Sequence, residues 1–372
     1  MKKPYPPVYY ADYLQLDKLL GAQKPKSELY NQPAHDEMLF IIVHQAYELW
    51  FKQILHELNS TLEVFQKDYV DEKDVGIAVS RLTRITEIQK ILIDQLRVLE
   101  TMTPLDFLEF RDFLIPASGF QSFQFRLVEN RLGLENAQRM LFGRGAYHER
   151  LSEEHQEAVK QSLESPSLFE LVAKWLERTP FVRFGDFDFW AHYREAVRKM
   201  LDDDRETISN NPVLSEKEKA RQFQEFDKTE ASFSALFDED KHNELVKKGL
   251  RRLSREALHA ALLISLYRDE PMLNQPYRLL NVLVDVDELF TTWRYRHALM
   301  VHRMIGSKIG TGGSSGHDYL KKTAESHKVF FDLFNLSTFL IPRSALPKLP
   351  ESLRKNLGFY YNDMEKTRAT ES

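Results

Sequence analysis

Apolar residues recur at every third and fourth position through 35–65, 73–100 and 274–304, and this spacing predicts three long amphipathic helices. Strand-like alternation of apolar and polar positions is nearly absent. Prolines fall mainly between the periodic runs, at Pro104, Pro116, Pro166, Pro180, Pro212, Pro271 and Pro342, where they end helices rather than interrupt them. The expected fold class is therefore all-α, a helical bundle. From about 141 to 269 the chain turns more polar, with LSEEHQEAVKQSLES and LSEKEKARQFQEF. These segments read as surface helices, an insert or covering layer on the bundle. No internal repeat or low-complexity linker divides the chain, so residues 1–372 are expected to form a single domain carrying that insert. The tail after Glu365 is short and polar and should fray.

Composition narrows what such a bundle can do. With 42% hydrophobic and 29% charged residues, the balance is that of a soluble globular protein. The 25 phenylalanines favour a core able to enclose flat apolar groups. A net charge of −5 gives no overall pull toward nucleic acid. No stretch approaches a membrane span, and MKKPYPPVYY lacks the apolar region of a signal peptide, so a cytoplasmic protein without membrane partners is expected. There is no cysteine, which excludes disulfides, cysteine-held iron–sulfur clusters, thiolate-ligated haem and cysteine nucleophiles. Any metal chemistry must use His, carboxylates or Tyr.

The most informative stretch is WRYRHALMVHRMIGSKIGTGGSSG, residues 293–316. Trp293, His297, Met300, Val301 and Met304 share one helical face, so His297 points inward while His302 lies on another face. The loop at 310–316 contains only Gly, Thr and Ser and can bring backbone amides and hydroxyls close to a ligand. A buried histidine before such a loop suits a cofactor ligand beside a substrate cradle. It equally suits a hydrogen-bonded core histidine before a flexible turn, and this stretch alone does not choose. The loop fits the G-x-S-x-G pattern, but a helix rather than a strand precedes it. It also lacks the lysine that ends a phosphate loop.

In HDEMLFIIVHQAYELWFKQILHEL, residues 35–58, Phe40, His44, Tyr47 and Phe51 share a face. One buried histidine on a helix is usually structural. Two, on separate aromatic-rich helices, suit a flat macrocycle held between them, with one histidine on iron and the other facing the open coordination site. In PLDFLEFRDFLIPASGFQSFQFR, residues 104–126, Arg111 sits among Phe107, Phe110 and Phe113. An arginine there needs an anion. Asp106 or Asp112 can supply one internally, and a substrate carboxylate held bidentately is the other reading. Pro116, Ala117, Ser118 and Gly119 then form a turn whose small residues can approach a cofactor. Tyr10 and Tyr13, near the N-terminus, share a face and taken alone read as packing residues. His148 and His155 lack the spacing of a helical metal pair, the run Asp202, Asp203, Asp204 reads as a solvated helix end, and Glu48 and Glu57 read as solvent-side or paired.

Four segments, HDEMLFIIVHQAYELWFKQILHEL, FLEFRDFLIPASGFQSFQFRLVENRLG, WRYRHALMVHRMIGSKIGTGGSSG and DLFNLSTFLIPR, resemble the tryptophan 2,3-dioxygenase family. The likeness covers the N-terminal segment from about Tyr9, residues 30–135 and residues 275–345, and is only loose over 141–269. The resemblance implies a haem b enzyme, active with ferrous iron. It would insert both atoms of O2 across the C2–C3 bond of the indole of L-tryptophan, giving N-formyl-L-kynurenine, the first step of the kynurenine pathway. It further implies His297 as proximal iron ligand and His44 as the distal histidine near the indole nitrogen. Arg111 would be the carboxylate clamp, and Thr311 would hold the ammonium and carboxylate end of the substrate. Phe40 and Phe107 would be walls of the indole pocket, and Ser118 and Gly119 small residues beside haem. Tyr10 and Tyr13 would reach a neighbouring subunit's site in a homotetramer with exchanged N-terminal segments. With an unperturbed histidine pKa near 6.5, protonation of His44 in mild acid would weaken substrate binding. One departure is His317 immediately after Gly316, where an aromatic is often found, and the chain starts close to the first motif.

Overall fold

The computed structural model describes residues 5–135, 151–180, 183–184, 187–308 and 317–358. Its framework is three long helices. A 29-residue α4 (Glu37–Phe65) and a 28-residue α5 (Glu72–Leu99) pack side by side, and the 35-residue α14 (Pro271–Ile305) lies against α5. At 1.5 Å per residue these span about 44, 42 and 52 Å. Each buries residues at helical spacing: Val43, Tyr47, Phe51, Ile54, Leu58 and Leu62 on α4; Val75, Val79, Leu82, Ile85, Leu92 and Leu96 on α5; Leu279, Leu283, Val286 and Phe290 on α14. The apolar stripes thus become one core as soon as the helices meet. Polar groups fix the register. Gln89 Nε2 donates to the Val286 carbonyl at 2.9 Å, and Tyr47 Oη donates to the Leu92 carbonyl at 2.5 Å.

Helix ends follow local chemistry. The Asp71 side chain caps α5 by accepting from Asp74 N. Thr103 and Asp106 form a capping box with Pro104 in the first turn of α6 (Pro104–Arg111), which stops at the residue expected to face the interior. Ser122 caps α7 (Phe123–Leu132), and Gln124 on this helix donates from Nε2 to the carbonyl of Glu48 at 2.9 Å and to Glu48 Oε2 at 2.8 Å. These bonds seat α7 on α4. Ahead of the framework, α1 (Tyr10–Leu14), α2 (Leu16–Leu20) and α3 (Lys26–Leu29) are short. They leave Tyr9, Tyr10, Tyr13 and Leu20 more than two-thirds exposed.

The polar stretch divides into two kinds of helix. α10 (Phe189–Asn210), α11 (Glu216–Phe237) and α12 (Glu239–Lys247) bury few residues each. α8 (Glu153–Glu164) buries Val159 and Ser162 against α7. In contrast, α9 (Leu168–Glu177) buries Leu168, Phe169, Leu171, Val172 and Leu176, and α13 (Arg255–Leu266) buries every residue from Ala260 to Ile264. These two pack on each other and reach α4 and α14. Their apolar windows are short and flanked by charge, which hides them in a composition average. A two-residue antiparallel pair, Arg183–Phe184 with Phe187–Asp188, is the strand structure among the described residues.

After α14 the chain returns along it as α15 (His317–Ser326), α16 (Phe331–Phe334) and finally α17 (Glu351–Leu357). The buried Asp287 carboxylate on α14 accepts from the backbone N–H groups of Val329 and Phe330 at 2.9–3.1 Å, and so pins the segment just after α15. No described helix is long and apolar enough to cross a membrane.

Gly133 closes α7 at φ +109°, and a Cβ there would lie 2.8 Å from both Phe169 Cβ on α9 and Oγ of Ser167, which caps that helix. Gly133→Ala should therefore meet strain and a clash with the Phe169 and Ser167 side chains together and cost about 2 kcal/mol or more. Denaturant titration of the two proteins, which should show a lower midpoint at unchanged slope, checks this.

Candidate active site

One face of α4 and one face of α14 border a cavity of about 280 Å³. From α4 come Phe40, His44, Tyr47 and Phe51, and from α14 come Trp293, His297, Met300, Val301 and Met304. These are the two sets predicted to share helical faces. The C-terminal end of α5 adds Leu96 and Leu99; α6 adds Phe107 and Arg111; and the turn after it adds Ser118 and Gly119. A Cβ built on Gly119 meets nothing within 4 Å, so this turn leaves open space beside it.

His297 stacks on Trp293 one turn earlier, rings 5.3 Å apart and 2° from parallel, which fixes the imidazole plane. Among the described residues its ring makes no hydrogen bond or ion pair. It is half-buried and lines the cavity. Burial pushes its pKa down to about 4, and the nearby His44 adds to the shift in the same direction. At neutral pH it is a neutral imidazole with a lone pair, the form that binds a metal.

His44 differs in one respect. Its Nδ1 lies 2.7 Å from the Phe40 carbonyl, one turn back on α4. A carbonyl only accepts, so Nδ1 carries the proton and Nε2 of the neutral ring is left as an acceptor. Burial lowers the His44 pKa; the Phe40 bond and the charge of Glu48 oppose that without overcoming it. Phe40 lies over the imidazole at 4.0 Å and meets Phe107 at 5.8 Å and Phe110 at 5.6 Å. The histidine therefore projects from an aromatic corner.

Arg111 ends α6 and lines the cavity. Of the two internal anions weighed for it, Asp106 is engaged by the Thr103 hydroxyl and N–H. Asp112 stands 3.6 Å away with its side chain 81% exposed, a loose pair in high dielectric. Cavity, guanidinium and aromatic corner together can hold a flat amphiphile carrying a carboxylate.

Thr311 and the rest of the 310–316 loop lie outside the described residues, as does His148. Tyr10 and Tyr13 are each 75% exposed on α1 and do not reach this cavity. His155 stacks on Phe123 at 3.9 Å, and Glu57 is buried and paired with Arg84 at 2.8 Å. Both are structural. The Asp202, Asp203, Asp204 run is exposed, and no described group of His and carboxylates has the arrangement of a metal site.

Sequence reasoning missed one part of the wall. Glu129, on α7 and 3% exposed, accepts from Arg126 Nη1 at 2.8 Å and from Arg294 Nη2 at 3.1 Å, with His327 Nδ1 at 3.4 Å. All four residues line the cavity. The available signal was Arg294, inward-facing three residues before His297; nothing local marks His327 as its neighbour.

The family model described as tryptophan 2,3-dioxygenase matches residues 5–340. The chain is similar to the tryptophan 2,3-dioxygenase of Bdellovibrio bacteriovorus, 56% identical over 357 residues, covering 96% of this chain and 99% of that protein. It is 52% identical to that of Alteromonas mediterranea over 360 residues, 97% of this chain and 99% of the relative. It is 48% identical to that of Dictyostelium discoideum over 356 residues, 95% and 89% of the two chains.

The depressed pKa of His297 has a consequence for stability. Between about 4 and 6.5 the unfolded chain binds a proton that the folded chain refuses. Stability of the cofactor-free protein should therefore fall as pH drops through that window, by about 1.4 kcal/mol per unit from this group. Urea midpoints measured from pH 7 to 4 should fall less steeply in His297→Leu.

Proposed function

The chain belongs to the tryptophan 2,3-dioxygenase family, and from that premise we propose that it is a haem-dependent enzyme inserting both atoms of O2 across the C2–C3 bond of the indole of L-tryptophan. The product is N-formyl-L-kynurenine, and the reaction opens tryptophan degradation by the kynurenine pathway. The observation that carries the reading is the pair of neutral histidines lining one aromatic cavity, His297 with no hydrogen bond to either ring nitrogen among the described residues and His44 with Nδ1 on the Phe40 carbonyl.

The residues present fit haem b. His297 would hold the iron: its ring is neutral, its plane is held by Trp293, and it lines a cavity walled by Met300, Val301 and Met304. Ser118 and Gly119 leave room for a macrocycle edge. When bound, haem b supplies the ferrous iron at which O2 is activated for insertion into the indole.

The rest of the work falls to the chain. Phe40 and Phe107 pack on each other and form an aromatic wall against which the indole lies flat. His44 Nε2 accepts the indole N–H, and Nδ1 is kept protonated by the Phe40 carbonyl, so the acceptor always faces the substrate. Arg111 clamps the substrate carboxylate, and Thr311 in the Gly/Thr/Ser loop holds the ammonium and carboxylate end. Closing these contacts positions the reacting carbons and excludes water, and positioning is the protein's larger contribution when a cofactor carries the oxidation.

We read the active form as a homotetramer in which Tyr10 and Tyr13 complete a neighbouring subunit's site. What supports this is the exposed stripe Tyr9, Tyr10, Tyr13 and Leu20, more apolar surface than a free N-terminal segment gains from leaving in water. Residues 1–372 are taken as one catalytic domain with a helical insert at about 141–269, acting in the cytoplasm.

The test is an anaerobic spectrum of the haem-reconstituted, dithionite-reduced protein, followed by addition of L-tryptophan and air. A five-coordinate histidine-ligated ferrous spectrum and growth of N-formylkynurenine absorbance are expected, and haem uptake without product would overturn the assignment. Arg111→Ala should keep haem but lose about 2–4 kcal/mol of substrate binding, read as a raised KM. The pH profile of kcat/KM checks His44. Because its pKa is lowered, the acceptor survives to lower pH than for a free imidazole, so the acid limb should fall below pH 6.5 rather than at it. The limb should vanish in His44→Gln.

A further inference from the structure

Among the described residues two glutamates border the cavity, and they are held in different ways. Glu129 is met by the guanidiniums of Arg126 and Arg294. Glu48, on α4, has no cation within ion-pair distance among the described residues. Its side-chain partner is a neutral amide. Gln124, in the first turn of α7, donates from Nε2 to Glu48 Oε2 at 2.8 Å and to the Glu48 carbonyl at 2.9 Å. A neutral donor fixes the carboxylate in place without cancelling its charge. The sequence reads Glu48 as solvent-side or paired; it is half-buried, on the cavity wall and without a counter-ion. Such a group costs desolvation energy, and groups kept at that cost cluster where their charge is used.

Phe40, His44 and Glu48 follow one another at single-turn spacing, so they form one stripe of α4 bordering the cavity. The Phe40 carbonyl fixes the His44 ring at Nδ1. No hydrogen bond or ion pair joins Glu48 to that ring, so the carboxylate acts on it through space. We propose that Glu48, anchored by Gln124, is a positioning residue that works through His44: its negative charge makes the imidazole a stronger acceptor for the indole N–H. This inference rests on the proposed reaction at the same cavity. As the indole carbons give electrons to oxygen, positive charge grows on the indole nitrogen, and its N–H becomes a stronger donor. The bond to His44 tightens at that moment, and a fixed negative charge one turn away favours the polarisation. An interaction that strengthens as the reaction proceeds raises kcat, not binding alone.

Charge and packing predict opposite pH effects. Burial lowers the His44 pKa, and Glu48 restores part of it. Removing the charge alone therefore lowers the pKa further. Loosening the wall would instead admit water and lift the pKa toward 6.5. Arg111 from α6, Arg126 and Glu129 from α7, Arg294 and His297 from α14, and His327 after α15 also border the cavity. Among the described groups, Glu48 supplies the charge that acts on the His44 ring.

The experiment is the pH profile of kcat and kcat/KM for the haem-loaded enzyme, measured in the unchanged protein, Glu48→Gln and Glu48→Asp. Thermal unfolding of each accompanies it. Glutamine keeps the side-chain length and an acceptor for Gln124, so its unfolding temperature should stay close to that of the unchanged protein. The acid limb of Glu48→Gln should lie about 0.5–1 pH unit lower, the effect of one charge a helical turn away. On the plateau its kcat should fall about two- to threefold, because a less basic imidazole is a weaker acceptor. Glu48→Asp keeps the charge and should keep the limb where it is in the unchanged protein. In a His44→Gln background, Glu48→Gln should cost nothing more. A limb that stays in place in Glu48→Gln, or moves up toward pH 6.5, overturns the proposal and makes Glu48 a packing residue. Equal losses with and without His44 overturn it as well. If Glu48→Gln does not fold, Gln124→Met takes its place: it frees the carboxylate to turn to solvent, and the limb should move the same way by less. An unmoved limb there overturns the proposal. Absence of N-formylkynurenine from the unchanged, haem-loaded protein at every pH overturns the reaction reading itself.

Discussion

A single phenolic oxygen holds the two walls of the cavity in register. Tyr47 on α4 donates to the Leu92 carbonyl on α5 at 2.5 Å and lies 3.4 Å from Trp293 Nε1 on α14. Trp293 in turn fixes the plane of His297 by stacking. Three helices of about 42–52 Å can slide past one another at small cost through apolar contact alone, because the hydrophobic effect has no direction. Hydrogen bonds do have direction, and here they select the alignment in which His44 and His297 face the same space. Burial pushes the Tyr47 hydroxyl up to about 12, so it remains a neutral donor at any pH the protein meets.

The cavity separates two kinds of polar chemistry by the helices that carry them. On α4 and α6, His44 and Arg111 emerge from phenylalanines and present an acceptor and a cation. On α7, on α14 and just after α15, Arg126, Arg294 and His327 are bound to a buried carboxylate. Between the two sets the surfaces are thioether, aromatic and aliphatic. A low-dielectric space with fixed charges at its margins strengthens each interaction within it, and leaves the two histidines neutral because neither has an adequate counter-ion. The same burial that keeps His297 a neutral imidazole makes it a liability to the cofactor-free protein in acid. The site is thus maintained at a local cost in stability, as buried functional groups commonly are.

Much of the site was legible because it obeys helical periodicity. Phe40, His44, Tyr47 and Phe51 are spaced to share a face, as are Trp293, His297, Met300, Val301 and Met304, and each set lines the cavity. Arg111 among phenylalanines announced itself by being too polar for its surroundings. Glu129 and His327 did not, because they meet across 198 positions and neither is unusual beside its own neighbours. α9 and α13 were obscured for a related reason: a ten- or twelve-residue apolar window vanishes in a charged average, although each helix is mostly core.

By itself, then, the sequence determined the fold class, the cavity-facing residues of the long helices, and, through motifs within residues 30–135 and 275–345, the family. Those are properties of spacing and side-chain type, and both are written locally. Tertiary structure alone decided which nitrogen of His44 is free, which of two aspartates lies near Arg111, and that two arginines and a histidine share one carboxylate. Each of these depends on distances between segments far apart in the chain. Hydrogen bonds at about 3 Å and low-dielectric shifts of pKa come into being only when packing has removed the water between those segments.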